Sequence, residues 1–192
     1  MRYSAEHKAR TRTRIITSAS RGFREEGLEN HTVVAVMSAL GLTTGGFFHH
    51  FESKEELAAE AVRHAMDERR ERLDAHTREG RGIEDIIRTY FSTAHRDRPG
   101  GGCPTAAMAA DIARHSPRVR RAYADGLDAL LGTLADQWPD MPRADAVSRA
   151  TALYGMMSGC LMMSRATGDR RQASAILEAG LAGALHFAGV RD

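Results

Sequence analysis

Apolar residues recur along this chain every three or four positions, and alternating β-branched runs are missing. That is helical periodicity, and it predicts an all-α protein. The stripes outline about nine helices. The first runs from about residue 5 to 26, with Ile15, Ala19, Gly22 and Phe23 on one face, and stops at Gly27. The second starts at an N-capping Thr32 and carries Val33, Val36 and Met37 to Gly41. A short third covers about 43–49, with Thr43 as its expected cap. The fourth opens on Ser53 with Glu56 three residues on, a capping box, and reaches about 77. Further stripes predict helices at about 82–96, 103–114, 117–138, 144–166 and 171–188. Ser116-Pro117 reads as a cap followed by proline at the first helical position. No proline occurs before Pro99, and RDRPGGG at 96–102 and WPDMP at 138–142 punctuate the second half.

The densest information lies in residues 32–57, TVVAVMSALGLTTGGFFHHFESKEEL. Two short helices meet at Ala39-Leu40-Gly41-Leu42. Gly41 permits a left-handed turn, and Leu42 can plug the angle between the helices. This is a helix-turn-helix pattern, whose second helix enters the DNA major groove. Thr43 and Thr44 offer hydroxyls and methyls to bases or phosphates. Gly45 and Gly46 each weaken a helix, by about 1 kcal/mol relative to alanine. They permit either close approach to DNA or a crowded helix contact. Lys54, at a helix start, suits a phosphate. Phe23, Phe47 and Phe51 are expected in the core. His49 and His50 have no acidic or cysteine partner at ligand spacing, so neither metal nor cofactor is expected.

Charge adds to this. The 192 residues sum to only +2, which suggests no particular partner. Yet residues 1–24 hold seven basic residues against Glu6, a local +6, leaving −4 for the rest. The run Lys8, Arg10, Arg12 and Arg14 wraps around the first helix, with part of it free to meet phosphates. There is no apolar leader and no stretch of membrane-span length, and two cysteines make no disulfide framework. A cytoplasmic protein without a membrane partner is expected. No Gly-rich phosphate loop, nucleophile elbow, His-Glu-x-x-His or convincing carboxylate pair points to an enzyme. A helical interaction module remains the alternative to a DNA binder.

Residues 32–57 resemble the N-terminal domain of TetR-family transcriptional regulators. Thr32, Val36, Met37, Gly41, Leu42, Thr43, Gly45, Phe47, His50, Phe51, Ser53, Lys54 and Leu57 fit the family pattern in type and spacing. Arg14-Ile15-Ile16, Ala19, Phe23 and Gly27 fit its first helix. GCPTAAMAADIARHSPRVR, after Phe91, is similar to the LmrA/YxaF-like branch. The family's usual tyrosine is Phe48 here, which lacks the hydroxyl for a phosphate. The resemblance implies a three-helix DNA-binding head over 1–52 and a helical ligand-binding and dimerisation body over 53–192. It implies a homodimeric repressor that binds a palindromic operator in double-stranded DNA and is released by a small-molecule effector. Its DNA contacts would come from Thr32, Thr43, Thr44, Gly45, Gly46, Phe48, His49, His50 and Lys54.

In the body, Tyr90, Met108, Tyr123, Trp138 and Met157 are candidate pocket residues. The last two helices are candidates for the dimer interface through Leu153, Met157, Leu161, Ile176, Leu177, Gly180, Leu181 and Ala184. Cys103, at the start of a predicted helix, reads as an ordinary thiol in a turn or, with a lowered pKa, a redox-sensitive one.

Overall fold

A computed structural model describes residues 5–190, and every regular element among them is helical. The long helices are α1 (Ala5–Glu26), α3 (Lys54–Arg78), α7 (Pro117–Ala135), α8 (Arg143–Ala166) and α9 (Arg170–Ala188). Between them lie α2 (Val33–Ala39), α4 (Ile83–Tyr90), α5 (Thr93–Asp97) and α6 (Pro104–Ala113), with 3-10 helices at Thr44–His49 and Pro99–Gly101. No helix among the described residues is long and apolar enough to cross a membrane.

The caps sit largely where the sequence puts them. Thr32 Oγ1 accepts from Ala35 N–H at 3.1 Å, Ser53 Oγ from Glu56 N–H at 3.1 Å, and Ser116 Oγ from Val119 N–H at 3.4 Å. Glu56 returns the favour one residue early, accepting from Glu52 N–H at 2.7 Å.

Three expectations are corrected. The third helix is a 3-10 helix, and Thr43 makes no side-chain cap bond. Gly45 and Gly46 give an α-helix little support over so short a span. The helix expected over 82–96 breaks after Tyr90, because Ser92 caps a new helix through His95 N–H at 3.2 Å. The seventh helix stops at Ala135, three residues before Trp138.

Two apolar clusters hold the molecule together. One joins Ile15, Ala19 and Phe23 of α1, Val36 and Met37 of α2, Phe47, Phe51 and the N-terminal half of α3. It also takes in Met108 and Ile112 of α6 and Val119 and Ala122 of α7. The other gathers the C-terminal half of α3 with α4, α7, α8 and α9. Helix α3 therefore spans both, packing on α1 and on α7. Gly126 leaves room for α3 against α7, since a β-carbon there would stand 2.5 Å from Met66 Cβ.

Candidate nucleic-acid interface and regulatory body

The helix-turn-helix closes at Gly41, whose φ of +67° is the left-handed turn expected of it. Leu42 N–H returns to Met37 carbonyl at 2.9 Å, fixing the exit direction. Phe47 and Phe51 stack with ring centroids 5.4 Å apart and anchor the 3-10 helix from beneath. Thr43, Thr44, Gly45, Phe48 and His49 are then left exposed, with Gly46 and His50 half-buried. A β-carbon on Gly45 would meet nothing within 4 Å, and one on Gly46 nothing closer than Thr43 Oγ1 at 3.6 Å. A crowded helix contact is thus not what requires these glycines. Phe48 is 72% exposed, a large apolar side chain standing off the surface.

The charge around this surface is uneven. The pKa of His50 is lowered, first by burial and then by the positive charges of Lys8, His49, Arg12 and His7. The start of α1 thus sits beside the end of the 3-10 helix. Arg12 is already engaged: it pairs with Glu56 at 3.0 Å and Glu60 at 3.7 Å and lies over the Phe51 ring. Lys8, Arg10 and Arg14 are exposed. Lys54 is held by Glu29, 3.3 Å from its carbonyl and 3.8 Å from its carboxylate. Thr32 is exposed, with its hydroxyl on the α2 cap.

The body distributes its predicted pocket residues differently from the sequence expectation. Tyr90 borders a cleft of about 620 Å³ between α3, α4 and α5. Met108 is buried in the cluster beneath the head, and Met157 in that of the body. Trp138 borders a separate shallow groove with Pro139 and Met141. Tyr123 lies between the clusters, 3.0 Å from Thr105 Oγ1. These five side chains do not surround one cavity. A buried network that sequence periodicity missed lies nearby. Cys103 Sγ is 3.0 Å from Tyr154 Oη, which donates to Thr105 Oγ1 at 3.1 Å, while Tyr90 Oη donates to Ser158 Oγ at 3.4 Å. Cys103 is neither an open turn thiol nor an accessible one. It is fully buried and caps α6 through Ala106 N–H.

The candidate interface helices are also rotated from expectation. Leu153, Met157, Leu161, Leu177, Gly180 and Ala184 all point into the protomer's own core, and Ile176 and Leu181 are half-buried. Gly180 is small because α4 and α8 need it so: a β-carbon would come within 2.5 Å of Phe91 and 2.8 Å of Cys160 Cβ. The strongest apolar stripe of each helix goes to the intramolecular core. The outward face carries Ala152, Gly155, Gly159, Met162, Met163 and Ala166 on α8, and Ala175, Ala179 and Ala182 on α9. Met162 and Met163 are 40% and 53% exposed. No cluster of three or more metal-ligating side chains occurs among the described residues.

A helix-turn-helix head on an all-helical body is the design of a bacterial transcriptional regulator. Sequence comparison agrees in both halves: residues 15–61 match the bacterial regulatory proteins of the tetR family, and residues 80–178 match the LmrA/YxaF-like C-terminal domain of transcriptional regulators. The chain belongs to the TetR family, in its LmrA/YxaF-like branch. Over 61 residues it is 36% identical to the HTH-type transcriptional repressor KstR2 of Rhodococcus jostii, a match covering 32% of this chain and 30% of that one. A TetR regulator from Chloroflexus aurantiacus superposes with a TM-score of 0.76 at 24% identity, covering 95% of this chain and 96% of the other. One from Legionella pneumophila gives 0.76 at 17% identity, over 97% and 98%. At those identities the likeness concerns the fold.

Proposed function

We propose that the chain is a ligand-responsive repressor that binds a palindromic operator as a homodimer in the cytoplasm. Residues 1–52 are its DNA-binding head, and 53–192 its ligand-binding and dimerisation body. The observation that carries this reading is the exposed Thr43–His49 surface, propped on buried Phe47 and Phe51 and flanked by the positive start of α1. Bases would be read by Thr44 and His49 across the bare backbone of Gly45 and Gly46. Phosphates would be held by His50, Lys54 and the start of α1. Two copies would meet through the outward faces of α8 and α9, where small residues let helices approach closely. An effector shifts the population toward a dimer whose heads no longer match the half-site spacing.

Selection from random duplex DNA with the full chain tests this. An enriched inverted repeat is expected, and no enrichment over the starting pool would refute it. Within that assay, Thr44→Ala should change the selected sequence more than the affinity. Lys54→Ala should weaken all duplexes alike and lower the salt slope by about one. Glu29→Gln, which removes the carboxylate charge beside Lys54, should act in the opposite direction.

His50 gives the binding a pH dependence. Its pKa is lowered in the free protein, whereas a phosphate alongside would raise it. Binding then takes up a proton. Affinity should rise as pH falls through the bound-state pKa and level off below the free-state one. Fluorescence anisotropy on the selected duplex at about pH 8 and about pH 6 measures it, with His50→Gln expected to flatten the profile. An unchanged profile in His50→Gln would remove His50 from the phosphate contacts.

A further inference from the structure

The cleft between α3, α4 and α5 holds about 620 Å³, enough for a drug-sized organic molecule. Its wall carries four arginines, Arg69, Arg72, Arg81 and Arg98, against one carboxylate, Glu79. Arg81 pairs with that glutamate at 3.1 Å, and Arg72 with Glu68 at 2.6 Å. Arg69 and Arg98 have no carboxylate within ion-pair distance among the described residues. The Arg69 guanidinium lies 5.1 Å from the centroid of the Tyr90 ring. His76, also on the wall, keeps Nδ1 buried without a hydrogen-bond partner. We propose that this cleft is the effector site, and that it takes an organic anion: an apolar body against Ala75 and Ala94, carrying a carboxylate, sulfonate or phosphate for Arg69 and Arg98. This rests on the regulator reading above for the word effector, but not for the binding itself.

Three observations support the assignment. Arg69, half-withdrawn from water, and the exposed Arg98 both lack a carboxylate, and each guanidinium can grip an anion with two parallel hydrogen bonds. The positive field reaches beyond the arginines. His95, on the same wall, is held down to about 4, first by burial and then by Arg69, Arg165 and Arg72. It stays neutral and leaves anion binding to the arginines. Its geometry agrees: Nε2 accepts from Cys103 N–H at 2.9 Å, which places the ring proton on Nδ1, 2.7 Å from the Tyr90 carbonyl.

The third observation is that the cleft wall is tied to the head. Arg72 donates to the Gly101 carbonyl, in the turn that follows α5. Its partner Glu68 is shared with Arg24 of α1 at 2.8 Å, and Arg24 also donates to the Gly102 carbonyl at 3.2 Å. An anion that draws Arg72 into the cleft would take it from Glu68 and from the turn. Both of these contact α1. A cleft without such a connection could bind without signalling.

The test uses the full chain with 8-anilinonaphthalene-1-sulfonate, an aromatic sulfonate that fluoresces when bound. The uncharged N-phenyl-1-naphthylamine is the control. Saturable binding of one sulfonate per chain is expected. Arg69→Gln with Arg98→Gln should weaken it at least about tenfold and leave the neutral probe unchanged. Arg120→Gln with Arg121→Gln makes the same charge change on the exposed face of α7, and should leave both probes unchanged. Equal sulfonate affinity in the cleft variant, or equal loss in the α7 variant, would overturn the proposal. The unfolding midpoint of each variant, with the neutral probe, separates lost binding from lost fold. The operator selection is run on the same protein. If no operator emerges while sulfonate binding depends on Arg69 and Arg98, the regulator reading fails and the anion site stands. If an operator emerges but the sulfonate ignores these arginines, the reverse holds.

Discussion

Gly159→Arg is expected to give a folded chain that sediments as a monomer and binds operator DNA at least about a hundredfold more weakly. A β-carbon at Gly159 meets nothing within 4 Å in the protomer, so the substitution has room. Removing a glycine from the middle of α8 should even favour the helix by up to about 1 kcal/mol. The space it fills is on the outward face, between Gly155 and Met162–Met163, where we place the second copy. A long charged side chain there keeps the two hairpins apart and buries a guanidinium if they close. Operator affinity falls because each head then binds one half-site alone. Sedimentation velocity and gel shift on one preparation measure both. Ala152→Glu, farther along the same face, should do the same. If both variants remain dimers with intact operator binding, the copies meet elsewhere.

Acidification should unfold the protein through His95. Its pKa in the folded chain is about 4, against an ordinary value of 6.5. A folded-state pKa below the unfolded one means that the unfolded chain takes the proton first. The contribution of this side chain is fully present above pH 6.5, declines as pH falls towards 4, and is gone below that. The difference corresponds to about 3 kcal/mol, a sizeable part of the stability of a single domain. The cause is structural. The ring is largely buried beneath Tyr90, at 4.6 Å between centroids, with one nitrogen accepting from Cys103 N–H and the other donating to the Tyr90 carbonyl. Protonation would break the first of these bonds and set a cation among arginines. Urea unfolding at about pH 7, 6 and 5 should show the decline, and His95→Asn should flatten it while lowering the stability at neutral pH. His50, whose pKa is also lowered, adds to the decline, so the double variant should flatten it further. A proton titration of the ring by NMR in the unaltered chain is the direct check. A midpoint near 6.5 would defeat the assignment.

Where local chemistry decides a feature, the sequence was enough. Thr32, Ser53 and Ser116 cap through their own hydroxyls within three residues, and Gly41 turns because only glycine takes φ near +67° without strain. The apolar stripe of α1 is equally local, and Ile15, Ala19, Gly22 and Phe23 are buried as it marks them. The break at Ser92 is masked in the sequence, since Ile83, Ile86, Ile87 and Tyr90 keep helical spacing right up to it.

What covers each stripe, by contrast, is a property of the whole chain. The sequence shows that Leu153, Leu161 and Leu177 belong inside, but not inside what; the answer is the protomer itself, leaving the small-residue faces outward. It shows the helix-turn-helix pattern over 32–57, but not that Arg12 would be taken up by Glu56 and Glu60, or Lys54 by Glu29. Nor does any periodicity place Arg69, Arg72 and Arg98 around one cleft, or join Arg24 to Glu68 across 44 residues of chain. Capping and helical spacing act over a few residues, and so can be read in order along the chain. Charge pairing, cavities and shared carboxylates depend on through-space distances that only the packed helices set.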